Sequence, residues 1–436
     1  MTKVGATLLP KQTKISKSPL PDRKGTLRPE NAIFNSTRPK PSKINESSIN
    51  FNPDNPVKAV FVKNFGENPV SVEIPLTNFS EFQSNTKNPY SPTFWENIID
   101  SQAKSIAKVH AASINPIDLD VIPGGAEEFF QGKAWKLGNI NHESQNSRLP
   151  LVLGRDFCGE LIKTDGVNIA DVGQRIWGVK PVTEQGTFCE FVKMDSHLYG
   201  NAPMNISVEE CAAVPYAGCT ILSGFDGVIS EENASEKSVL VLGGSGGLGT
   251  LAIQILKAWG CPRVDVVCSE KNKDLVKKLG CDKVCCYDSG DHIFMGKTDG
   301  YDLVINLTPQ NEDKDYKYED ICRNLNEDGS YITFNTTLWQ NSEKFKGQKC
   351  AAAKVIAGFE IDSIKMGMEF RKQAKNAKLG LINEYFVDKQ LERLKVLIQD
   401  GKIKPVVTKV FGIGEATEVL ENFKTKKYPG KVVFKI

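Results

Sequence analysis

Ser238-Val-Leu-Val-Leu-Gly-Gly-Ser-Gly-Gly-Leu-Gly249 is the stretch whose reading decides the fold of this chain. Val239 to Leu242 is a short, uninterrupted apolar run, as expected of a strand buried on both faces. Glycines follow at 243, 244, 246, 247 and 249, and Thr250–Trp259 then continues as an apolar-rich helix. Gly244-x-Gly246-x-x-Gly249 between strand and helix is the context in which this spacing implies dinucleotide binding. One glycine makes the tight turn, a second clears the approach of a pyrophosphate, and a third lets the helix pack on the strand. Unpaired N–H groups at the helix start then face the phosphate charge. Gly244, Ser245, Gly246, Gly247, Leu248 and Gly249 are therefore the first candidate cofactor residues.

The segments that follow repeat the same alternation. Arg263–Ser269 reads as a second strand, Asn272–Leu279 as a helix closed by Gly280, and Val284–Tyr287, Asp302–Leu307 and Ser330–Phe334 as further strands. Strands alternating with helices predict a parallel, doubly wound sheet. Upstream the pattern changes. Val57–Lys63, Ser105–Ala112, Pro150–Ile162, Val172–Gly178 and Gly186–Val192 read as a separate β unit. Val208–Val214 and Thr220–Val228 read as helices joined through Pro215-Tyr216-Ala-Gly218. Gln390–Gln399 puts Leu391, Leu394, Leu397 and Ile398 on one helical face, and Gly430–Ile436 ends the chain as a strand expected to rejoin the β unit. The resulting division is a tail at 1–56, a β unit at 57–205, a nucleotide-binding unit at 206–383, and a return to the β unit at 384–436.

Composition narrows the function. The 436 residues carry a formal charge of +2, which gives no reason to expect a nucleic-acid partner. No apolar run approaches the roughly 18 residues of a transmembrane helix. The eleven cysteines are an odd number with no CxxC spacing, so they argue against a disulfide framework and fit a reducing compartment. The tail is different: residues 1–56 hold ten lysines and arginines against four acids, with recurrent prolines and only Phe34 and Phe51 as aromatics. Such a segment cannot offset its chain entropy by burial and is expected to be disordered. Seven basic residues and one acid up to Arg28 suit a transit segment. The long polar piece from Pro123 to Arg148 shows no period; Phe129, Phe130 and Trp135 either line a pocket mouth or pin that loop.

Several short motifs occur in one order: Lys108-Val-His-Ala-Ala-Ser-Ile-Asn-Pro-Ile-Asp118, Leu153-Gly-Arg-Asp156 with Gly159, Val172-Gly with Trp177, Gly186-Thr-Phe with Glu190-Phe191, Pro215-Tyr216 with Thr220, and Gly243–Gly249. Together they resemble the medium-chain dehydrogenase/reductase superfamily, and within it the zinc-free quinone-oxidoreductase branch. The resemblance spans about residues 57–436. It implies an α/β chain made of a GroES-like β catalytic domain and a doubly wound Rossmann domain, with the cofactor in the cleft between them. It further implies hydride transfer from NADPH to a quinone or enone in mitochondria, linked to ubiquinone metabolism. A homodimer and a reticulon-like or coenzyme-Q biosynthetic protein partner are also among its implications, the latter for a chain that binds NADPH but turns over little.

Zinc is not expected. The four histidines (110, 142, 197, 292) show no spacing with another His or Cys that suits a metal. Zinc-dependent members of the superfamily carry Cys and a His-Glu pair where this chain has Asn115 and Arg155-Asp156. Without a Lewis acid, which can draw the pKa of bound water from ~15.7 to ~7, an alkoxide is hard to stabilise. A conjugated acceptor needs less help because its developing charge is delocalised. The resemblance points to Asn115 and Thr220 for holding the nicotinamide or a substrate carbonyl, and Tyr216 offers a pocket hydroxyl. For all three, a packing or turn-forming role is the alternative. Cofactor choice falls at the end of the second strand: Ser269 can donate to a 2′-phosphate and Lys271 or Lys273 can balance its charge. Glu270 would take the acid's role of an NAD enzyme if the register moved by one. By family position Tyr287 lies beside the adenosine and Gly430 and Lys431 near the phosphates or nicotinamide; Asn306 joins the cofactor set.

Overall fold

The computed structural model describes residues 56–63, 66–75, 105–122, 151–164, 170–289, 300–308, 318–334, 364–368 and 376–436. The basic tail up to residue 55, the segment 123–150 with Phe129, Phe130 and Trp135, and His142 and His292 lie outside them.

The β unit opens with β1 (Pro56–Val62) and β2 (Val70–Pro75), an antiparallel pair in which Val60 faces Ser71. β4 (Leu151–Val152) joins the other edge of β1, completing a three-stranded sheet. A seven-stranded sheet is built around β3 (Ser105–Ser113), which pairs with β5 (Asp156–Lys163) and β7 (Phe191–Met194); β6 (Arg175–Val179) and β8 (Tyr199–Asn201) extend it beyond β5. β3 is buried along nearly its whole length because two cores meet on it: Ala111 belongs to one, and Ala107, Val109 and Ala112 to the other. The Gly186–Val192 strand of the sequence reading is shorter in the structure. Only Phe191–Met194 ladders regularly, while Cys189 makes a single bridge to Ala59.

In the second unit the parallel sheet has the order β11-β10-β9-β12-β13-β14, with β9 (Ser238–Leu242), β10 (Arg263–Cys268), β11 (Lys283–Cys286), β12 (Tyr301–Asn306), β13 (Leu325–Thr333) and β14 (Asn376–Leu379). Counted from β9 this is the 3-2-1-4-5-6 order of a Rossmann sheet, whose strand order reverses at β9/β12. The four apolar residues of β9 alternate between cores. Val239 and Val241 pack toward the helices Pro215–Phe225 and Gly247–Ala258, and Leu240 and Leu242 toward the opposite face.

Proline placement corrects one helix boundary. Pro215-Tyr216-Ala-Gly218 is the first turn of the helix Pro215–Phe225, with the break at Ala213-Val214. Proline at the first helical position loses no bond, since its N–H would be unpaired there anyway. Gly218 lets this helix approach the helix Val387–Gln399: a Cβ there would lie 2.6 Å from Leu394 Cδ1. Finally β15 (Val407–Gly412) pairs in parallel with β16 (Lys431–Lys435), and β16 lies antiparallel to β3, with Val433 opposite Ser113. Among the described residues no helix is long and apolar enough to cross a membrane, and no group of three His, Cys, Asp or Glu side chains is gathered around a metal-sized gap.

Candidate functional site

Leu242 ends β9, and Gly243 turns the chain at a φ of +83°, a left-handed conformation that favours glycine. A Cβ on Gly244 would lie 2.2 Å from Val266 Cγ1, and one on Gly249 would lie 2.5 Å from the Gly243 oxygen. Both residues are bare so that the helix can pack on the strands. Gly246 differs. Its φ of −77° and ψ of 175° suit any residue, and a Cβ there would meet nothing closer than the Gly243 oxygen at 3.7 Å. Among the described residues no feature inside the protein requires a glycine at 246. Gly246 caps the helix Gly247–Ala258, whose first N–H groups, at Gly247, Leu248 and Gly249, have no carbonyl a turn back to bond. Leu248 turns its side chain onto the large core, so only its backbone is available there.

At the neighbouring strand end, Ser269 is buried and begins the 3-10 turn Glu270–Asn272. Asn272, which the sequence reading did not single out, reaches from that turn with Nδ2 3.1 Å from Ser269 Oγ and 3.1 Å from Ser245 Oγ. Glu270 points elsewhere: hydrogen bonds from the Cys286 thiol and then Lys273 hold its carboxyl below the usual range. Lys273 sits 3.2 Å from it, and only Lys271 of the two lysines stands exposed without a partner among the described residues. Tyr287 follows β11, half exposed, with its N–H donating to the Cys268 carbonyl. Asn306 ends β12 beside the glycine turn, but its side chain is engaged internally: Nδ2 donates to Tyr331 Oη at 3.0 Å, and Oδ1 accepts from Thr308.

The C-terminal segment ties this loop to the β unit. Gly430 N–H donates to the Ser245 carbonyl at 2.8 Å, and Gly246 and Gly430 form an isolated bridge. The Lys431 stem passes over Gly247, where a Cβ would lie 2.7 Å from Lys431 Cδ. Its buried ammonium donates to the Ile114 carbonyl at 3.0 Å and to Asn115 Oδ1 at 2.6 Å, and stands 3.7 Å from Asp156 Oδ2. Asn115 Nδ2 donates to Asp156 Oδ2 at 3.1 Å and weakly to the Ser113 carbonyl at 3.4 Å. The amide is thus spoken for except for one lone pair on Oδ1. Asp156 also accepts from the Ser113 N–H and hydroxyl.

Asp118 completes this buried cluster. It accepts from the Asn115 and Gly154 N–H groups and stands 3.6 Å from Arg155 Nε, so the partner of Arg155 is Asp118 and not its chain neighbour Asp156. Arg155 further donates to the Pro181 and Glu184 carbonyls. Tyr216 lies half-buried nearby. Burial, then the charge of Asp118, push its phenol well above the usual range, and among the described residues its hydroxyl has no hydrogen-bond partner. Thr220, one turn on, donates its hydroxyl to the Tyr216 carbonyl at 2.6 Å. His110 is half-buried in β3, and burial lowers its pKa.

Burial raises the Asp118 carboxyl from 3.8 to about 7, against the pull of Arg155 and the Asn115 N–H. Between those two values the folded chain keeps a proton that the unfolded chain has released, so this group's contribution to stability is lost as pH climbs toward 7. The urea midpoint of Asp118→Asn, which cannot titrate, should fall less between pH 5 and 7 than that of the unaltered protein. Equal slopes would remove Asp118 from the account.

Two units of this build, with a glycine loop joined to the β unit through its C-terminal strand, define a medium-chain dehydrogenase/reductase. The family description "Alcohol dehydrogenase GroES-like domain" matches residues 102–234, and "Zinc-binding dehydrogenase" matches residues 279–434. The mitochondrial NAD(P)H oxidoreductase RTN4IP1 of Drosophila melanogaster is 31% identical over 347 residues, covering 76% of this chain and 78% of the relative. Reticulon-4-interacting protein 1, mitochondrial, of Caenorhabditis elegans is 28% identical over 361 residues, 78% and 89% of the two chains. The chain belongs to the medium-chain dehydrogenase/reductase superfamily, and these relatives place it beside its NAD(P)H oxidoreductases. The quinone oxidoreductase of Coxiella burnetii shares the fold, with a TM-score of 0.62 at 23% identity over 87% of this chain and 99% of that one.

Proposed function

We propose that this chain is a zinc-independent, NADPH-dependent oxidoreductase of mitochondria that transfers hydride to a quinone or enone. The observation that carries the reading is Gly246, a glycine that neither its backbone angles nor any neighbouring atom demands. A pyrophosphate lying on the bare N–H groups of residues 247–249 gives it a reason. Ser269, Lys271 and the diverted Glu270 support the 2′-phosphate of NADPH over the ribose hydroxyl of NADH. Mitochondrial residence follows the names of the relatives and the basic tail.

The donor set argues against zinc even though a matched family description carries that word. A guanidinium and an ammonium, Arg155 and Lys431, already occupy the cluster around Asn115, Asp118 and Asp156, and would repel a dication. A reduced nicotinamide bound at the loop supplies a hydride; the protein's part is position and hydrogen bonding. Tyr216 keeps its proton at any working pH and so acts as a hydrogen-bond donor to an acceptor carbonyl. The proton that completes reduction comes from water. Asn115 acts through Lys431 and Asp156, fixing the loop beside the reacting centre.

The test is NADPH consumption by the purified chain with a panel of quinones and enones. Turnover with at least one class is expected. Tight NADPH binding with no acceptor raising turnover would instead favour a nucleotide-gated interaction protein, the reading suggested by the name of the nematode relative. A fluorescent fusion with and without residues 1–56 tests localisation: the full chain should reach mitochondria and the shortened one should not.

A further inference from the structure

Asn272 holds together two serines that belong to different parts of the nucleotide site. Its single Nδ2 lies 3.1 Å from Ser245 Oγ in the glycine loop and 3.1 Å from Ser269 Oγ at the end of β10. An amide nitrogen is a donor only, with two hydrogens, and here each is given to one serine oxygen. Neither hydroxyl then has its own proton committed, and among the described residues no acceptor stands within reach of either proton. For Ser269 this is costly, because the residue is only 5% exposed and water cannot readily serve it.

We propose that Asn272 is the positioning residue that makes Ser245 and Ser269 obligate donors toward a phosphomonoester, and thereby sets the preference for NADPH over NADH. This rests on the reading of the glycine loop as a dinucleotide site. The exposed Lys271 ammonium stands in the same turn, and the carboxylates there are engaged elsewhere: Glu270 is turned to Lys273 at 3.2 Å and to Cys286, and Asp288 accepts from the Glu270 N–H at 2.7 Å. A 2′-phosphate brings acceptor oxygens and negative charge, and it satisfies two serine protons and an ammonium at once. A ribose 2′-hydroxyl can also accept from a serine, but it brings no charge for Lys271 to meet and fewer acceptor lone pairs than a phosphomonoester. Asn272 itself needs no contact with the ligand. It acts by facing its nitrogen, and not its oxygen, to both serines.

The informative substitution is Asn272→Asp. It preserves size, but a carboxylate accepts where the amide donated. Both serine protons would turn inward to it, and a negative charge would stand beside the phosphate. NADPH affinity, read by nucleotide fluorescence on the purified full chain, should fall about 30-fold or more, while NADH affinity changes less than about threefold. Asn272→Ala, which frees both hydroxyls to rotate, should lose only about fivefold toward NADPH. In a Ser269→Ala background the effect of Asn272→Asp should shrink, because half of the mechanism is already gone. Circular dichroism and melting temperature guard against a folding defect, and half-buried Asn272 leaves room for these side chains. An NADPH-to-NADH ratio unchanged in both Asn272 variants overturns the assignment while leaving the dinucleotide site standing. An unaltered protein that prefers NADH overturns it as well, and one that binds neither nucleotide overturns both this inference and the reading of the loop beneath it.

Discussion

Gly246→Val should bind neither NADPH nor NADP+ measurably, with affinity lowered at least 100-fold, while the protein folds normally. The two halves of that expectation come from separate observations. Folding is spared because the backbone at 246 is extended and the nearest atom to a new Cβ is 3.7 Å away. Surface changes without a buried consequence stay within about 0.5 kcal/mol. Binding is lost because the side chain takes the volume in which a pyrophosphate would meet the N–H groups of the first helical turn. Losing two hydrogen bonds to a charged group costs roughly 3–6 kcal/mol, and each 1.4 kcal/mol is about tenfold in affinity. Gly249→Val provides the contrast within the same motif. Its Cβ would be 2.5 Å from the Gly243 oxygen and 2.6 Å from Gly244, so the helix must move off the strand and melting should suffer first. Equilibrium binding and thermal melting on the two variants separate the roles. If Gly246→Val binds NADPH as tightly as the unaltered chain, the phosphate does not lie where the loop suggests.

The sequence is most legible where one element carries its own period. Val239–Leu242 has no polar break because both its faces are buried, and Leu391, Leu394 and Ile398 mark a helix because they meet one core. Reading fails where a residue has two local meanings. Pro215 reads as part of a joint between helices, but a proline is equally suited to a first turn, and only the packing of Gly218 on Leu394 decides between them. The strands Val70–Pro75 and Val407–Gly412 escape a sequence reading; the latter is an edge strand with Lys409 and Val410 exposed, so it lacks a clean alternation. Within the site, the glycine loop is legible because its physics is local. The contact between Lys431 and Asn115 joins positions 316 apart, and the Asn272 clasp depends on which way a turn residue faces after β10 has paired. No spacing rule records either one.

Lys431→Met should destabilise the fold by roughly 3–5 kcal/mol, the cost of removing one partner from a buried ion pair. The lysine and Asp156 are both almost fully buried, 3.7 Å apart, and their shared cluster holds two cations and two carboxylates. Methionine retains the stem that passes over Gly247 but removes the ammonium from the Ile114 carbonyl and from Asn115 Oδ1. Above about pH 7, where Asp118 is ionised as well, the cluster is left one negative charge in excess where water cannot reach it. Lys424 is the internal control. Its pair with Asp120 spans 3.2 Å, but Lys424 is 67% exposed, and such pairs are worth about 0–1 kcal/mol. Urea unfolding should therefore show a large shift for Lys431→Met and almost none for Lys424→Met. Adding Asp156→Asn to Lys431→Met removes the uncompensated charge and should recover part of the loss, although an amide in place of that carboxylate would serve Ser113 and Asn115 less well. Matching midpoints for the two lysine variants would mean that the 431 ammonium is solvated in solution, and the link from the glycine loop to Asn115 would then have to rest on Gly430 alone.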